Sequence, residues 1–477
     1  MGSLPPEIIQ GGMGIGVSSW KLAGAVARAG AMGVVSGTAL ETVYARRLQL
    51  GDLDGSVRRA LAHFPVPEVA RQVVERYFVE GGKAADEPFR GVSMYTLRPS
   101  PELQLLSVVS NFAEVWLAKE AGGGGPIGIN YLYKIQMPLP ACLYGAMLAG
   151  VDYVIVGAGS PEAVPELLRA YSAGVPGTMP IKVQYAAPTD VYAQSFDPRV
   201  LFADRSPPEL AKPRFLAIVA SVDLARRLRL DEACCPDGFV IEGYTAGGHN
   251  APPRGPLKLD PRGQPVYGML DEVDLGAIAS LGLPFWLAGT YGRPSALRDA
   301  QVQGAAGIQV GTAFAFCEES GLTSELRERV LASVVEGSLS VRTDSIASPT
   351  GFPFKIVELA GTVSDDVVYE ERRRVCDAGF LRMPYKTPSG EVGYRCPAEP
   401  ATVYERKSGR AQQTEGRLCL CNGLLANIGL GQRRSDGRSE PALLTAGDDV
   451  LSIRRYLGAG ASSYSATEVV AALRRGA

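Results

Sequence analysis

The sequence predicts an α/β fold: a parallel (β/α)8 barrel with an inserted helical subdomain and a C-terminal extension. Three observations predict it. Short apolar runs alternate with helix-period segments through much of the 477 residues, the signature of βαβ units around a parallel sheet. Four glycine-bearing loops each follow one of the apolar runs, which places them on one rim of a barrel. The first of them, Gly11-Gly-Met-Gly-Ile-Gly16, is a poor dinucleotide fingerprint, because the next apolar run ends Ser36-Gly37-Thr38 with no acidic residue. An open dinucleotide-binding sheet carries that acid about 20 residues after its glycines.

The elements follow in order. Glu7-Ile-Ile-Gln10 is the first strand, and Ser18 or Ser19 caps a helix over Trp20 to Arg28 that Gly30 stops. Gly33-Val-Val-Ser36 is the second strand. Helix-forming segments then break the rhythm: Thr42 to Leu50, Pro67 to Phe78 and Pro101 to Ala121, closed by Gly122-Gly-Gly-Gly125. An interval this long is more than a loop, so residues 46–125 read as an inserted helical lid. Pro126-Ile-Gly-Ile-Asn130 resumes the barrel, followed by a helix over Ala141 to Ala149, strand Tyr153-Val-Ile-Val156 and a helix over Pro161 to Tyr171. Pro180-Ile-Lys-Val-Gln184 and Phe215-Leu-Ala-Ile-Val219 both read as strands; periodicity leaves open which is the barrel strand and which belongs to an insertion. Gly238-Phe-Val-Ile241, Pro284-Phe-Trp-Leu-Ala288 and Gly307-Ile-Gln-Val310 complete the set, with a helix over Pro294 to Gln303 between the last two. The barrel is thus expected over 1–45 and 126–340, and beyond about Ser340 the composition shifts toward Arg, Pro and Gly, giving a C-terminal extension over 341–477.

Hydrophobic content of 46%, charged content of 21% and a net charge of −2 describe a globular protein with a sizeable core and no basic footprint for nucleic acid. Met1-Gly-Ser-Leu-Pro-Pro-Glu7 has neither the basic n-region of a secretory leader nor the Ser or Thr at position 6 of a myristoylation site. The longest uncharged stretch, Ile135 to Val151, is broken by Pro138 and Pro140 and is short for a membrane span. Eight cysteines without a leader point to reduced thiols in a cytoplasm.

One of only two histidines, His249, ends the run Phe239-Val-Ile-Glu-Gly-Tyr-Thr-Ala-Gly-Gly-His249. An apolar strand running into a glycine-rich turn presents one imidazole, the side chain whose pKa lies nearest neutrality, as a candidate general base. The other glycine loops are Gly11 to Gly16, Gly289-Thr-Tyr-Gly292 and Gly311-Thr312. The last two follow the penultimate and final strands, where barrels hold a phosphate with backbone N–H groups.

Ile8-Ile-Gln-Gly-Gly-Met-Gly14, the Ala-Gly-Gly-His ending of Glu242 to His249, Leu287-Ala-Gly289 and Ala306-Gly-Ile-Gln-Val-Gly-Thr-Ala-Phe314 resemble the nitronate monooxygenase (2-nitropropane dioxygenase-like) group, which also contains flavin-dependent enoyl reductases. The resemblance spans about residues 5–320, with gaps at the two insertions. It implies an FMN-binding TIM barrel in redox chemistry. By motif, Gly12, Met13 and Gly14 would contact the isoalloxazine, Asn130 would sit near the ring or substrate, Gly247 and Gly248 would lie beside the flavin, and Gly289, Gly311 and Thr312 would hold its phosphate. His249 matches the family's histidine, Gln309 would line the pocket, and Lys355, in Ser348-Pro-Thr-Gly-Phe-Pro-Phe-Lys355, is a substrate-side candidate. The family's lysine in the strand before the histidine loop has no counterpart in Phe215 to Ser221; Lys182 is the candidate if Pro180 to Gln184 is the barrel strand, and a solvated residue otherwise.

The resemblance implies a cytoplasmic flavoprotein oxidising nitronates with O2. Its alternative is an NAD(P)H-dependent enoyl reductase acting on carrier- or CoA-bound acyl chains. An alternative of another class is a non-redox barrel binding a phosphorylated metabolite. A small or carrier-bound acyl substrate and a homodimer are the expected partners. Cys376, Cys396, Cys419 and Cys421 lack the paired spacing of a zinc site, so free thiols and no metal are expected.

Overall fold

The computed structural model describes residues 4–202, 205–458 and 460–475; Met1 to Ser3, the start of the stretch read for a leader, lie outside them. The strands in chain order begin β1 (Ile8–Gln10), β2 (Gly33–Ser36), β3 (Ile127–Leu132) and β4 (Tyr153–Gly157). A hairpin, β5 (Gly177–Pro180) and β6 (Ala193–Phe196), intervenes before β7 (Arg214–Val219), β8 (Gly238–Glu242), β9 (Phe285–Ala288) and β10 (Gly307–Val310). Eight of these strands form one parallel sheet in the order β1-β10-β9-β8-β7-β4-β3-β2. The sheet closes on itself: Gln10 donates to the Met32 carbonyl at 3.0 Å, and Met32 donates to the Ile8 carbonyl at 2.9 Å. The fold is a (β/α)8 TIM barrel.

The barrel strands are buried on both faces, so their sequences read as continuous apolar runs rather than alternating ones. Ile9, Met32, Val34, Tyr153, Ile155, Leu216, Val240 and Trp286 fill the interior. The opposite faces of the strands pack against the helices in a larger apolar layer. Trp286 plugs one end, and its indole N–H donates to the Pro6 carbonyl at 2.6 Å.

The question of the fifth barrel strand is answered by β7, which pairs with β4 and β8. The other candidate, 180–184, is not a barrel strand. The observed β5 lies upstream of most of it and pairs antiparallel with β6 in a separate two-stranded sheet. Lys182 lies in the connection between β5 and β6 and is exposed, the solvated alternative of the two.

Between β2 and β3 the helices are Leu40–Gln49, Ser56–Ala62, Pro67–Tyr77 and Pro101–Ala121; the second of these had no counterpart in the sequence pattern. The 21-residue Pro101–Ala121 helix, capped by Ser100, packs against the barrel helices Trp20–Arg28 and Leu139–Leu148. Its buried Glu114 is fully satisfied: the Trp20 amide donates at 2.6 Å, the Tyr44 hydroxyl at 2.7 Å, and Arg47 pairs at 3.2 Å.

The C-terminal part wraps the barrel. Its hairpins are β11 (Ser340–Asp344) with β12 (Phe354–Glu358), and β13 (Met383–Lys386) with β14 (Val392–Arg395). The helix directly after β10 has four residues, Thr312–Ala315. The distant helix Ala466–Arg475 fills the ring instead, packed against the helices Trp20–Arg28 and Ala296–Val302. No described helix is long and apolar enough to cross a membrane.

Candidate active site

A cavity of about 200 Å³ opens at the C-terminal ends of the barrel strands, and it collects almost every residue singled out by the sequence. Gly12, Met13, Gly14, Asn130, Gly247, Gly248, His249, Gly289, Gln309, Gly311 and Thr312 all line it. Lys182 and Lys355 do not.

Each loop is held by the residues around it. After β1, the buried Gln10 carboxamide donates to the Gly11 carbonyl at 2.6 Å and to Ser18 Oγ at 2.8 Å, while its oxygen accepts from the Val34 amide at 2.9 Å. Ser18 Oγ accepts from the Met13 amide at 2.8 Å, completing the turn. Gly12 has to be glycine: a Cβ there would lie 2.3 Å from Asn130 Cβ. Gly248 and Gly289 adopt φ of +81° and +93°, conformations that glycine reaches without steric cost. A Cβ on Gly248 would meet nothing within 4 Å, and one on Gly311 would meet only Met13, at 3.7 Å or more. The backbone itself is therefore the cavity wall.

The C-terminal part locks these loops from above. Thr445 Oγ1 accepts from the Gly248 amide at 2.8 Å, Asp448 donates its amide to the Thr245 carbonyl at 3.0 Å, and Thr312 Oγ1 accepts from the Gly447 amide at 2.9 Å. Lys355 serves this lock. It is 2% exposed, and its Nζ donates to Thr343 Oγ1 at 2.7 Å and Asp448 Oδ1 at 2.6 Å. It faces away from the cavity, so its expected place beside substrate is not where the chain puts it. Phe354, Phe380, Leu381, Leu420 and Leu424 give the cavity an apolar wall.

His249 is held from two sides. Its Nε2 lies 2.7 Å from Ser348 Oγ, and Phe354 meets the ring edge-on at 5.0 Å. Burial and the nearby Lys134 ammonium push the imidazole down to about 3. The ring is neutral at physiological pH and acts there as a hydrogen-bonding group, with little capacity to accept a proton.

One further residue lines the cavity, and a second acts on it by charge. Glu242 is the last residue of β8 and lines the cavity. Burial raises its carboxyl to about 7, although the Lys134 ammonium pulls the other way. Lys134 sits on the turn after β3, its Nζ buried without a hydrogen-bond partner and 3.3 Å from the centre of the Phe352 ring. Burial lowers it to about 7. Glu242 directly follows the predicted strand Gly238 to Ile241, and Lys134 lies four residues beyond Asn130, both on the rim that carries chemistry in this architecture.

The eight cysteines are unbridged. Cys376, Cys396, Cys419 and Cys421 converge on a second, small cavity. Among the described residues no group of three or more His, Cys, Asp or Glu side chains is arranged to hold a metal ion.

Fold and site together define a (β/α)8 barrel with a glycine-walled cavity at the C-terminal ends of its strands. Residues 201–345, from just before β7 through β11, match the family model described as nitronate monooxygenase. A Mycobacterium tuberculosis protein, (3aS,4S,5R,7aS)-5-hydroxy-7a-methyl-1-oxo-octahydro-1H-indene-4-carboxyl-CoA dehydrogenase, is 27% identical over 130 residues, which are 27% of this chain. The chain spans about a third (33%) of the length of that relative. Among solved structures, FabK from Thermotoga maritima aligns over 99% of this chain and 93% of its own at 13% identity and a TM-score of 0.45. Nitroalkane oxidase from Streptomyces ansochromogenes aligns over 98% and 95% at 16% identity and a TM-score of 0.41. The enoyl reductase domain of MlnA from Bacillus amyloliquefaciens aligns over 98% and 92% at 11% identity and a TM-score of 0.47. These structural likenesses are weak, and the reading of the site rests on this chain's own geometry.

Proposed function

We propose that this chain is an FMN-dependent oxidoreductase that reduces an activated carbon–carbon double bond of a thioester-bound acyl substrate, with NAD(P)H as electron source. The observation that carries the proposal is the single cavity in which glycine loops from β1, β8, β9 and β10 meet an apolar wall supplied by the C-terminal part. The glycine loops suit a flat ring pressed against backbone, because side chains at Gly248 or Gly311 would project into the space it needs. Gly12, Met13, Gly14, Asn130, Gly247 and Gly248 would hold the ring, and Gly289, Gly311 and Thr312 the phosphate. When bound, the flavin supplies two-electron transfer to or from carbon.

The chain's own residues do the rest. Neutral His249, fixed by Ser348, orients a substrate carbonyl or the ring edge. Phe354, Phe380, Leu381, Leu420 and Leu424 take up an acyl chain and keep water from it. The M. tuberculosis relative is named as a carboxyl-CoA dehydrogenase, and an acyl thioester is the substrate class carried over here. Oxidation of nitronates with O2 is the second reading, favoured by the family match over 201–345. A nitronate arrives already ionised and leaves a cavity-facing acid without a task.

The test is anaerobic. NADPH is expected to bleach the flavin, and a 2-enoyl thioester to restore its colour. Bleaching by propyl-2-nitronate but not by NADPH would replace this reading with the nitronate one.

A further inference from the structure

We propose, resting on the reductase reading, that Glu242 is the acid that protonates the substrate and that Lys134 is its positioning partner. Three structural facts lead there. Glu242 ends β8 on the cavity wall, and among the described residues it takes part in no hydrogen bond or ion pair. Glu242 is half-buried and open to the cavity, unlike the fully buried Glu114, whose carboxylate has three partners, so it is free to meet a substrate. Lys134 Nζ is also buried with no hydrogen-bond partner, its charge resting on the face of Phe352. Two unpaired ionisable groups that bear on one another by charge are both free to act on a third group.

His249, Asp449, Tyr131, Tyr291 and Cys421 are the other titratable side chains on the cavity wall. Lys134 is the one group whose charge bears on Glu242, and His249 is neutral. Glu242 is thus the wall group that is protonated in part at neutral pH and returns to that state after giving up its proton.

The step balances as follows. A bound reduced flavin would supply a hydride at the β-carbon of the enoyl thioester, leaving the double-bond electrons at the α-carbon. The O–H bond of Glu242 breaks and a C–H bond forms at that carbon. The carboxylate left behind is stabilised by the charge of the Lys134 ammonium and is reprotonated by water. NAD(P)H is the reductant that returns the flavin to its reduced state.

Two readouts test this. The first is an infrared pH titration of the flavin-free protein. A protonated-carboxyl band absent from E242Q is expected to titrate near neutrality, and in K134M to titrate at higher pH, because removing the ammonium favours the neutral acid. The second is reoxidation of the reduced flavin by a 2-enoyl thioester. E242Q is expected to keep its flavin but slow this step by about 100-fold or more, with the loss of rate above neutral pH abolished; E242D falls between. An E242Q protein with wild-type rate and pH profile overturns the proposal, as does a band titrating in the ordinary carboxylate range. A wild-type protein whose reduced flavin ignores enoyl thioesters overturns the reductase reading instead, and the infrared titration still decides whether Glu242 is a neutral acid of the cavity.

Discussion

His249 shows how a residue's type and its state can part company. The sequence singles it out as a base, and the fold does bring it to the cavity. Yet burial and the neighbouring Lys134 ammonium hold it at about 3, against an ordinary value of 6.5. This has a consequence for stability. The unfolded chain protonates this histidine below about 6.5, while the folded one does not until about 3, so stability is lost as pH falls through that window. At pH 4 the loss is on the order of 3 kcal/mol. Urea denaturation of wild type and H249Q at pH 7 and pH 4 checks it: the wild type is expected to lose more stability on acidification than the variant, and equal losses would contradict the pKa. Gly12 gives a second prediction at this scale. Gly12→Ala forces a Cβ within 2.3 Å of Asn130 Cβ. A destabilisation of about 1–3 kcal/mol and a clear weakening of FMN binding are expected, read by thermal melts and flavin titration.

The elements of the barrel were legible because each strand is a continuous apolar run, buried on both faces. The one ambiguity had a physical signature. Pro180-Ile-Lys-Val-Gln184 alternates apolar and polar residues, whereas Phe215-Leu-Ala-Ile-Val219 does not, and only the second kind suits a parallel barrel. Weighing that difference would have placed Lys182 outside the site. Lys134 and Glu242 were missed for another reason: nothing local marks a charged residue as buried and unpaired until distant segments close over it. Phe352, which covers Lys134, is over 200 positions away. The same holds for the lock formed by Thr445 to Asp448. Its prediction is specific. Thr445→Val leaves the Gly248 amide without its acceptor, at a cost of about 1–3 kcal/mol. Proteolysis around Gly243 to His249 is expected to quicken in the variant; an unchanged cleavage rate would mean that the loop stands without the lock.

At the scale of the molecule, the C-terminal part is structural as well as functional. It supplies the apolar wall of the cavity, and its last helix fills the ring position left by the four-residue helix after β10. No short-range pattern announces such a substitution, which is why the sequence yields only an extension. Val469, Val470 and Leu473 on that helix are at most 1% exposed. A chain ending at Leu457 is therefore expected to lose its single cooperative melt and to bind a hydrophobic dye, because a barrel face loses its cover. A normal melt would make the helix dispensable.

All of this hangs on the glycine-walled cavity being a flavin site. The most direct measurement is the absorbance spectrum of the purified protein, as isolated and after incubation with FMN and removal of the excess. Retained flavin bands in stoichiometric amount are the predicted result. A colourless protein that fails to retain added FMN would contradict the account and leave the same loops to a phosphorylated metabolite in a non-redox barrel.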